Sequence, residues 1–278
     1  MKNVPLKVIP KNSQIALITG ASSGIGKAFA TRFAGMGYAL IITGRQMDKL
    51  HALALKLKAG FGVDVKVIKA DFSIDEDLNR LLNEIETHDK IFVLVNNAGF
   101  GSGLEFCENS LTGHLRMIQA HIVASTELAY AVLPQMIKRK NGIIINVSSI
   151  GAYIPAPGNS IYSASKIFLK NLTESIHLEV HQHGVKLQCL CPGLTNTEFH
   201  NGINGKNFGM KNDFLWMNPE EVVQDSLLAL QKDKIICVPG LVNKMIVGIS
   251  VLIPRQMYYW IIEKFDKPAR AEKITLMS

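Results

Sequence analysis

Short, continuously apolar runs alternate along this chain with longer stretches whose apolar positions recur at helical spacing. The runs read as strands at 14–19, 38–43, 65–70, 91–95, 142–147 and 185–190, with a seventh at 234–238. Helices are expected near 24–35, 46–59, 74–87, 111–138, 160–182 and 219–231. Alternating strands and helices predict βαβ units and a parallel sheet. Most of the strand segments are apolar at nearly every position, which suits a sheet covered by helices on both faces. The expected fold class is therefore α/β: a single Rossmann-like, doubly wound domain over 1–278 with about seven parallel strands. No linker, internal repeat or low-complexity tract divides it.

Two stretches depart from this rhythm. Residues 193–218 are rich in Gly and Asn, with Phe199, Phe208, Phe214 and Trp216 interspersed. So long an irregular segment reads as functional, a substrate-covering loop inserted after the sixth strand. The C-terminal extension, 240–278, carries an apolar run from Met245 to Ile253, then Pro254, then Met257-Tyr258-Tyr259-Trp260-Ile261-Ile262. Pro254 should break any helix there. Lys244, Arg255, Lys264, Lys267 and Arg270 flank the apolar residues. Four roles stay open: contact with a membrane surface, packing on the core, a wall of a lipophilic pocket, or a subunit contact. Pocket wall and oligomer contact are preferred, so a homo-oligomer (dimer or tetramer) is expected.

Composition narrows the class. With 47% hydrophobic and 19% charged residues the chain has the material for a core and does not read as disordered. A net charge of +7 without an aromatic-basic stripe favours anionic small molecules or a membrane surface over nucleic acid. No run reaches the roughly 18 apolar residues of a spanning helix, and the first residues lack the apolar core of a signal peptide. The expected location is cytoplasmic, peripheral at a membrane in one reading. Cys107, Cys189, Cys191 and Cys237 show no Cys-x-x-Cys spacing and are expected as buried, reduced thiols. Cys189 and Cys191 are expected on opposite faces of a strand, out of pairing reach. His177, His181 and His183 lack the acidic partner of a His-Glu-x-x-His site, so no metal is expected.

The candidate chemistry lies in two places. Thr19-Gly20-Ala21-Ser22-Ser23-Gly24-Ile25-Gly26 follows a predicted strand and opens a helix, the arrangement that binds a dinucleotide pyrophosphate. Farther along, Ser149 ends a strand, and Tyr162-Ser163-Ala164-Ser165-Lys166 places a phenol and an ammonium one helical turn apart. A phenol titrates at about 10 in water. A neighbouring positive charge is expected to lower that value and suit Tyr162 to acid/base work on an alcohol or carbonyl oxygen also held by Ser149.

With Asn96-Asn97-Ala98-Gly99, these motifs resemble the short-chain dehydrogenase/reductase family, in the family's order, from about Gln14 to Thr197. The pattern is similar to a bacterial-type subgroup close to hydroxysteroid and long-chain ketoacyl reductases. The resemblance implies a small-molecule substrate and hydride transfer between a nicotinamide cofactor and a carbonyl or secondary alcohol, with Ser149, Tyr162 and Lys166 catalytic. It also implies a cofactor-binding set: Gly20, Ser22, Ser23, Gly24, Ile25, Gly26, Asp71, Phe72, Asn97, Ala98, Gly99, Tyr162, Lys166, Pro192, Gly193, Thr195 and Thr197. Asp71 would take the adenine amino group, and the Pro192-Gly193 turn would lie against the nicotinamide. Arg45 stands where enzymes that use NAD usually carry an acid, so NADP(H) is favoured over NAD(H).

One departure concerns the proton relay. His121 occupies the position where the family carries an asparagine, and no Asn occurs between Ser110 and Lys140. His121 is a candidate catalytic residue that either preserves that function or adds a titratable group; a hydrogen-bonded core histidine is the alternative. The same exchange is the one support for a second reading, a catalytically impaired NADP-binding sensor or scaffold. Sugar-nucleotide epimerases share Tyr-x-x-x-Lys, but their expected glycine spacing and longer substrate domain are not seen.

Overall fold

The computed structural model describes residues 14–264 apart from 87, 89 and 199–214. Phe199, Phe208 and Phe214 of the expected substrate loop, and Lys267 and Arg270 of the extension, lie outside the described residues. The strands are β1 (Ile15–Ile18), β2 (Ala39–Gly44), β3 (Val65–Lys69), β4 (Ile91–Asn96), β5 (Gly142–Val147), β6 (Val185–Leu190) and β7 (Ile236–Cys237). They form one sheet in the order β3-β2-β1-β4-β5-β6-β7, with every neighbouring pair parallel. The chain winds outward from β1 to β3 and then returns to place β4 beside β1. That reversal opens a crevice at the carboxyl ends of β1 and β4.

Helices α1 (Gly24–Ala34), α2 (Met47–Phe61) and α7 (Pro219–Gln231) cover one face of the sheet. Helices α3 (Asp75–Glu86) and α5 (Ala124–Lys138) cover the other. Along β1, Ala16 and Ile18 join the first core while Leu17 joins the second. This two-sided burial is why the strands read as unbroken apolar runs. Helix α6 (Ser160–Val180) runs beside β5 and β6, with α4 (Leu111–Ile118) against it.

Four expectations are corrected. The helix read as 111–138 is α4, a π turn over Gln119–Val123, and α5. A π turn adds a residue within a helix and re-aims a side chain, and here it carries the buried His121. The strand read as 234–238 shortens to Ile236–Cys237, since Pro239 and Gly240 end it and α8 (Leu241–Leu252) follows. Cys189 and Cys191 share a face, with their sulfurs 3.6 Å apart as free thiols, because strand side chains alternate with period two. Cys107 is exposed, lying in the turn-rich stretch before α4 and not in the core. Pro254 separates α8 from a further helix at 255–264, as its missing amide dictates.

Candidate active site

The crevice is built on backbone. Gly20 and Gly24 take φ of +64° and +53°, which other residues rarely adopt. At Gly26 a Cβ would lie 2.3 Å from the Gly20 carbonyl oxygen and 2.6 Å from Asn97 Nδ2, so only glycine lets α1 start this close to the turn. A Cβ on Gly24 would meet the Thr197 methyl at 2.6 Å, which places Thr197 against the loop. Ser23 is the extended residue that begins α1, Ser22 lies beside Gly44, and Ile25 packs on the core. A bare backbone surface at a helix N-terminus fits the pyrophosphate of a dinucleotide.

The β4 end is sewn to this loop. Thr19 Oγ1 donates to the Val95 carbonyl at 3.2 Å and accepts the amides of Asn97 and Ala98 at 2.8 and 3.0 Å. Asn97 Nδ2 donates to the carbonyls of Thr19 and Gly20 at 3.0 and 3.1 Å. Asn96 turns inward, donating to Asn146 Oδ1 at 2.9 Å and to the Ser125 carbonyl at 3.1 Å. Asn146 Nδ2 in turn donates to Thr173 Oγ1 on α6 at 2.9 Å. In low dielectric a chain of this kind fixes strand ends and helix in one arrangement, while the buried Asn96 Oδ1 is left without a partner.

At the neighbouring strand ends, Arg45 is exposed directly after β2, with its guanidinium carbon 6.0 Å from the Phe100 ring centroid. Asp71 follows β3; its Oδ1 accepts the Ser73 amide and hydroxyl at 3.0 and 2.7 Å. The Phe72 side chain is buried in the core and leaves only backbone for a ligand. After β6, the Pro192 carbonyl accepts the Ile150 amide at 2.9 Å, tying the Pro192-Gly193 turn to the segment that follows Ser149. Thr195 is buried, and its hydroxyl donates to the Gly193 carbonyl at 3.0 Å.

Ser149, Tyr162 and Lys166 converge past the end of β5. Ser149 Oγ accepts the Gly151 amide at 3.0 Å and hydrogen-bonds the Tyr162 phenol. Lys166 Nζ donates to the Val147 carbonyl at 2.9 Å and lies 5.4 Å from the Tyr162 ring centroid. Ser148 Oγ donates to the Lys166 carbonyl at 2.7 Å and holds α6 to the strand. Burial lowers the Lys166 ammonium to about 8. Contrary to expectation, the Tyr162 phenol sits above its ordinary value: burial raises it, and the Ser149 bond opposes that only in part. The lysine's charge lies over the ring, against the Val147 carbonyl, which is a weaker arrangement for a phenolate than contact at the oxygen.

His121 is fully buried, and both its nitrogens are engaged. Nε2 accepts the Phe100 amide at 3.0 Å. The Nδ1 proton therefore points to Ser165 Oγ, 2.9 Å away, whose own hydroxyl donates to the Tyr162 carbonyl at 2.7 Å. Burial and the Lys166 charge hold the imidazole neutral, well below its ordinary pKa. In this geometry His121 links the turn after β4 to the helix carrying Tyr162.

The chain matches the family model described as short chain dehydrogenase over residues 14–207. The chain belongs to the short-chain dehydrogenase family. It is similar to a 17-beta-hydroxysteroid dehydrogenase type 3 from Danio rerio, 34% identical over 78% of this chain and 69% of that one. It is also 35% identical to a very-long-chain 3-oxoacyl-CoA reductase from Pyrenophora tritici-repentis, over 66% of this chain and 55% of the relative. The matched stretch thus spans about half the length of that relative. Among solved structures it resembles a short-chain dehydrogenase from Sphingobium yanoikuyae in complex with NADPH, with TM-score 0.77 and 31% identity over 87% and 96% of the two chains.

Sequence reasoning did not find Thr19, Asn146, Ser165 or Thr173 as the scaffold of this dehydrogenase site. A signal existed for the first two, as polar residues at the ends of otherwise apolar strands. Ser165 and Thr173 sit on an amphipathic helix with no local mark of their role.

Proposed function

We propose that this dehydrogenase interconverts a carbonyl and a secondary alcohol on a lipophilic substrate with NADP(H). The observation that carries this reading is the convergence of Ser149, Tyr162 and Lys166 beside the glycine crevice. NADP(H), when bound, supplies or accepts the hydride. Gly20, Gly24 and Gly26 would hold its pyrophosphate, and Arg45 its ribose phosphate, with no carboxylate in Ile42-Thr43-Gly44-Arg45 to oppose that charge. The relative in complex with NADPH supports this choice.

Ser149 and Tyr162 reach one substrate oxygen together. Burial keeps the Tyr162 phenol protonated, so the proton that reduction requires is in place; the same burial makes it a weaker acid, which the Ser149 hydrogen bond offsets in part. In oxidation Tyr162 takes the proton back, and Ser149 and charged Lys166 steady the phenolate. Lys166 keeps its charge below about pH 8 and loses it above, so reduction should weaken on the alkaline side. The names of the relatives, an oxoacyl-CoA reductase and a hydroxysteroid dehydrogenase, support a lipophilic substrate. A homo-oligomer belongs to the same reading, supported by exposed Leu111, Leu115, Ile167 and Phe168 on the adjoining α4 and α6.

The test is titration of NADPH against NADH, followed by turnover at 340 nm with ketosteroids, ketoacyl thioesters and small diketones. We expect preferential NADPH binding and turnover that falls about 10²- to 10⁴-fold in Tyr162→Phe. Tight binding with no turnover across the panel would favour the sensor reading.

A further inference from the structure

Helix α8 is inside out. Its buried residues are Asn243 and Ser250, while Leu241, Met245, Ile249 and Leu252 are exposed, Leu252 by 84%. With Lys244 and Gly248 these positions make one stripe at helical spacing, running the length of the helix. Nothing lies within 4 Å of where a Cβ on Gly248 would be. The 255–264 helix continues the pattern, with Met257, Tyr259 and Trp260 exposed and Lys264 Nζ 4.2 Å from the Trp260 ring centroid.

We propose that this stripe is a docking surface for an anionic lipid bilayer. Charge selects the occupant. Residues 241–262 carry Lys244 and Arg255 and no carboxylate, and Lys264 follows two residues on. A symmetric pair of copies would set the patch against itself and bring these cations together, with carboxylates only at its margins: Asp225, which accepts the Gly240 amide at 3.0 Å just before α8, and Glu263 among the described residues. Anionic headgroups pair with them instead. Exposed Trp and Tyr beside Lys and Arg suit the boundary between headgroups and acyl chains, where an amphipathic helix lies flat. Among the described residues no helix is long and apolar enough to cross a membrane, so the surface lies on the bilayer and does not span it.

The patch is fastened to the catalytic segments at two points. The Tyr258 hydroxyl donates to the Pro155 carbonyl at 2.6 Å, in the loop between Ser149 and Tyr162. Asn243 packs so closely on Gly193 that a Cβ there would lie 2.2 Å from its Oδ1. Docking therefore holds the Ser149–Tyr162 loop and the Pro192-Gly193 turn at the bilayer surface. If the proposed lipophilic substrate is right, the bilayer is its reservoir; the docking itself does not rest on that reading.

Flotation of the full chain with phosphatidylcholine vesicles, with and without phosphatidylglycerol, tests the proposal without requiring turnover. We expect wild type to float with the anionic vesicles. Leu252→Glu should bind about tenfold less or weaker still, and Lys244→Glu about fivefold less, to the anionic vesicles only. Both side chains are exposed and away from the cofactor loop, so melting temperature and turnover of a water-soluble ketone should stay unchanged. Trp260→Ser provides a second apolar test on the other helix. Wild type that fails to float, or Leu252→Glu and Trp260→Ser that float like wild type, overturns the proposal. So does a wild-type assembly in light scattering that Leu252→Glu splits, since that would identify a second copy as the occupant.

Discussion

The cofactor crevice and the C-terminal helices are built on opposite rules. Around β1 and β4 apolar side chains face inward, and Thr19, Asn97, Asn146 and the Asn96 side-chain NH2 find partners within the chain. On α8 the polar side chains of Asn243 and Ser250 face inward and the apolar ones face out. The hydrophobic effect makes the first arrangement self-sufficient. The second leaves a contiguous apolar surface that water does not favour, the usual mark of an interaction site. One region is finished by folding; the other is finished by contact.

A pair of glycine substitutions tests that difference most sharply. Gly26→Ala adds a methyl group 2.3 Å from the Gly20 carbonyl, where packed backbone cannot yield cheaply. We expect a loss of about 1–3 kcal/mol in urea unfolding and a marked fall in NADPH affinity. Gly248→Ala adds the same group to open space in mid-helix. There Ala should stabilise the protein by about 0.5–1 kcal/mol, because glycine loses more conformational freedom in a helix. Equal losses at the two positions would mean that α8 is already packed against something in solution, and the comparison would fail.

Arg45 sharpens the same contrast from the edge of the crevice. It is exposed, so its removal should leave stability almost unchanged. Its proposed partner is the ribose phosphate of NADPH, and a charge-assisted pair of this kind is worth about 10- to 100-fold in affinity. Arg45→Glu should weaken NADPH by that factor in a fluorescence titration while NADH binding holds or improves. Equal weakening of both cofactors would remove Arg45 from the discriminating role.

What was legible in the sequence follows the range of the interactions. The glycine loop and the Tyr162–Lys166 pair are set by spacing within a few residues, so they could be read directly. The strands were legible because burial on both faces leaves continuous apolar runs. Three features depended on distant partners and were not. The π turn arises in a segment whose local pattern is plainly helical, and His121 in it bonds Phe100 and Ser165. The position of the Lys166 ammonium over the Tyr162 ring depends on the Val147 carbonyl, so helical spacing alone predicted the wrong direction for the phenol. The outward face of α8 shows only once Asn243 is seen against Gly193. From composition, an apolar helix next to Pro254 looked as much like core as surface.

The smallest expected effect concerns how tightly the closed region holds the buried imidazole of His121. His121 uses Nε2 as an acceptor and Nδ1 as a donor, so the folded state needs the neutral ring. An unfolded histidine takes a proton at about 6.5, whereas in the folded protein burial and Lys166 hold the pKa well below that value. The unfolded chain therefore binds more protons once the pH drops below 6.5, and this share of stability, fully present above that pH, is lost as pH falls. Between pH 7.5 and 5.5 the stability that this group contributes therefore falls. In His121→Asn the titration disappears, and the shorter amide cannot span both Phe100 and Ser165, which costs about 1–2 kcal/mol at neutral pH. Urea midpoints of the two proteins should thus lie apart at pH 7.5 and draw together at pH 5.5, with turnover changed by less than about tenfold because the ring bears on Tyr162 through Ser165 and an edge-on ring contact, centroids 5.9 Å apart. A gap that stays constant with pH would show that the folded site accepts a proton at His121, and a loss of turnover as large as that expected for Tyr162→Phe would move His121 from positioning into the chemistry.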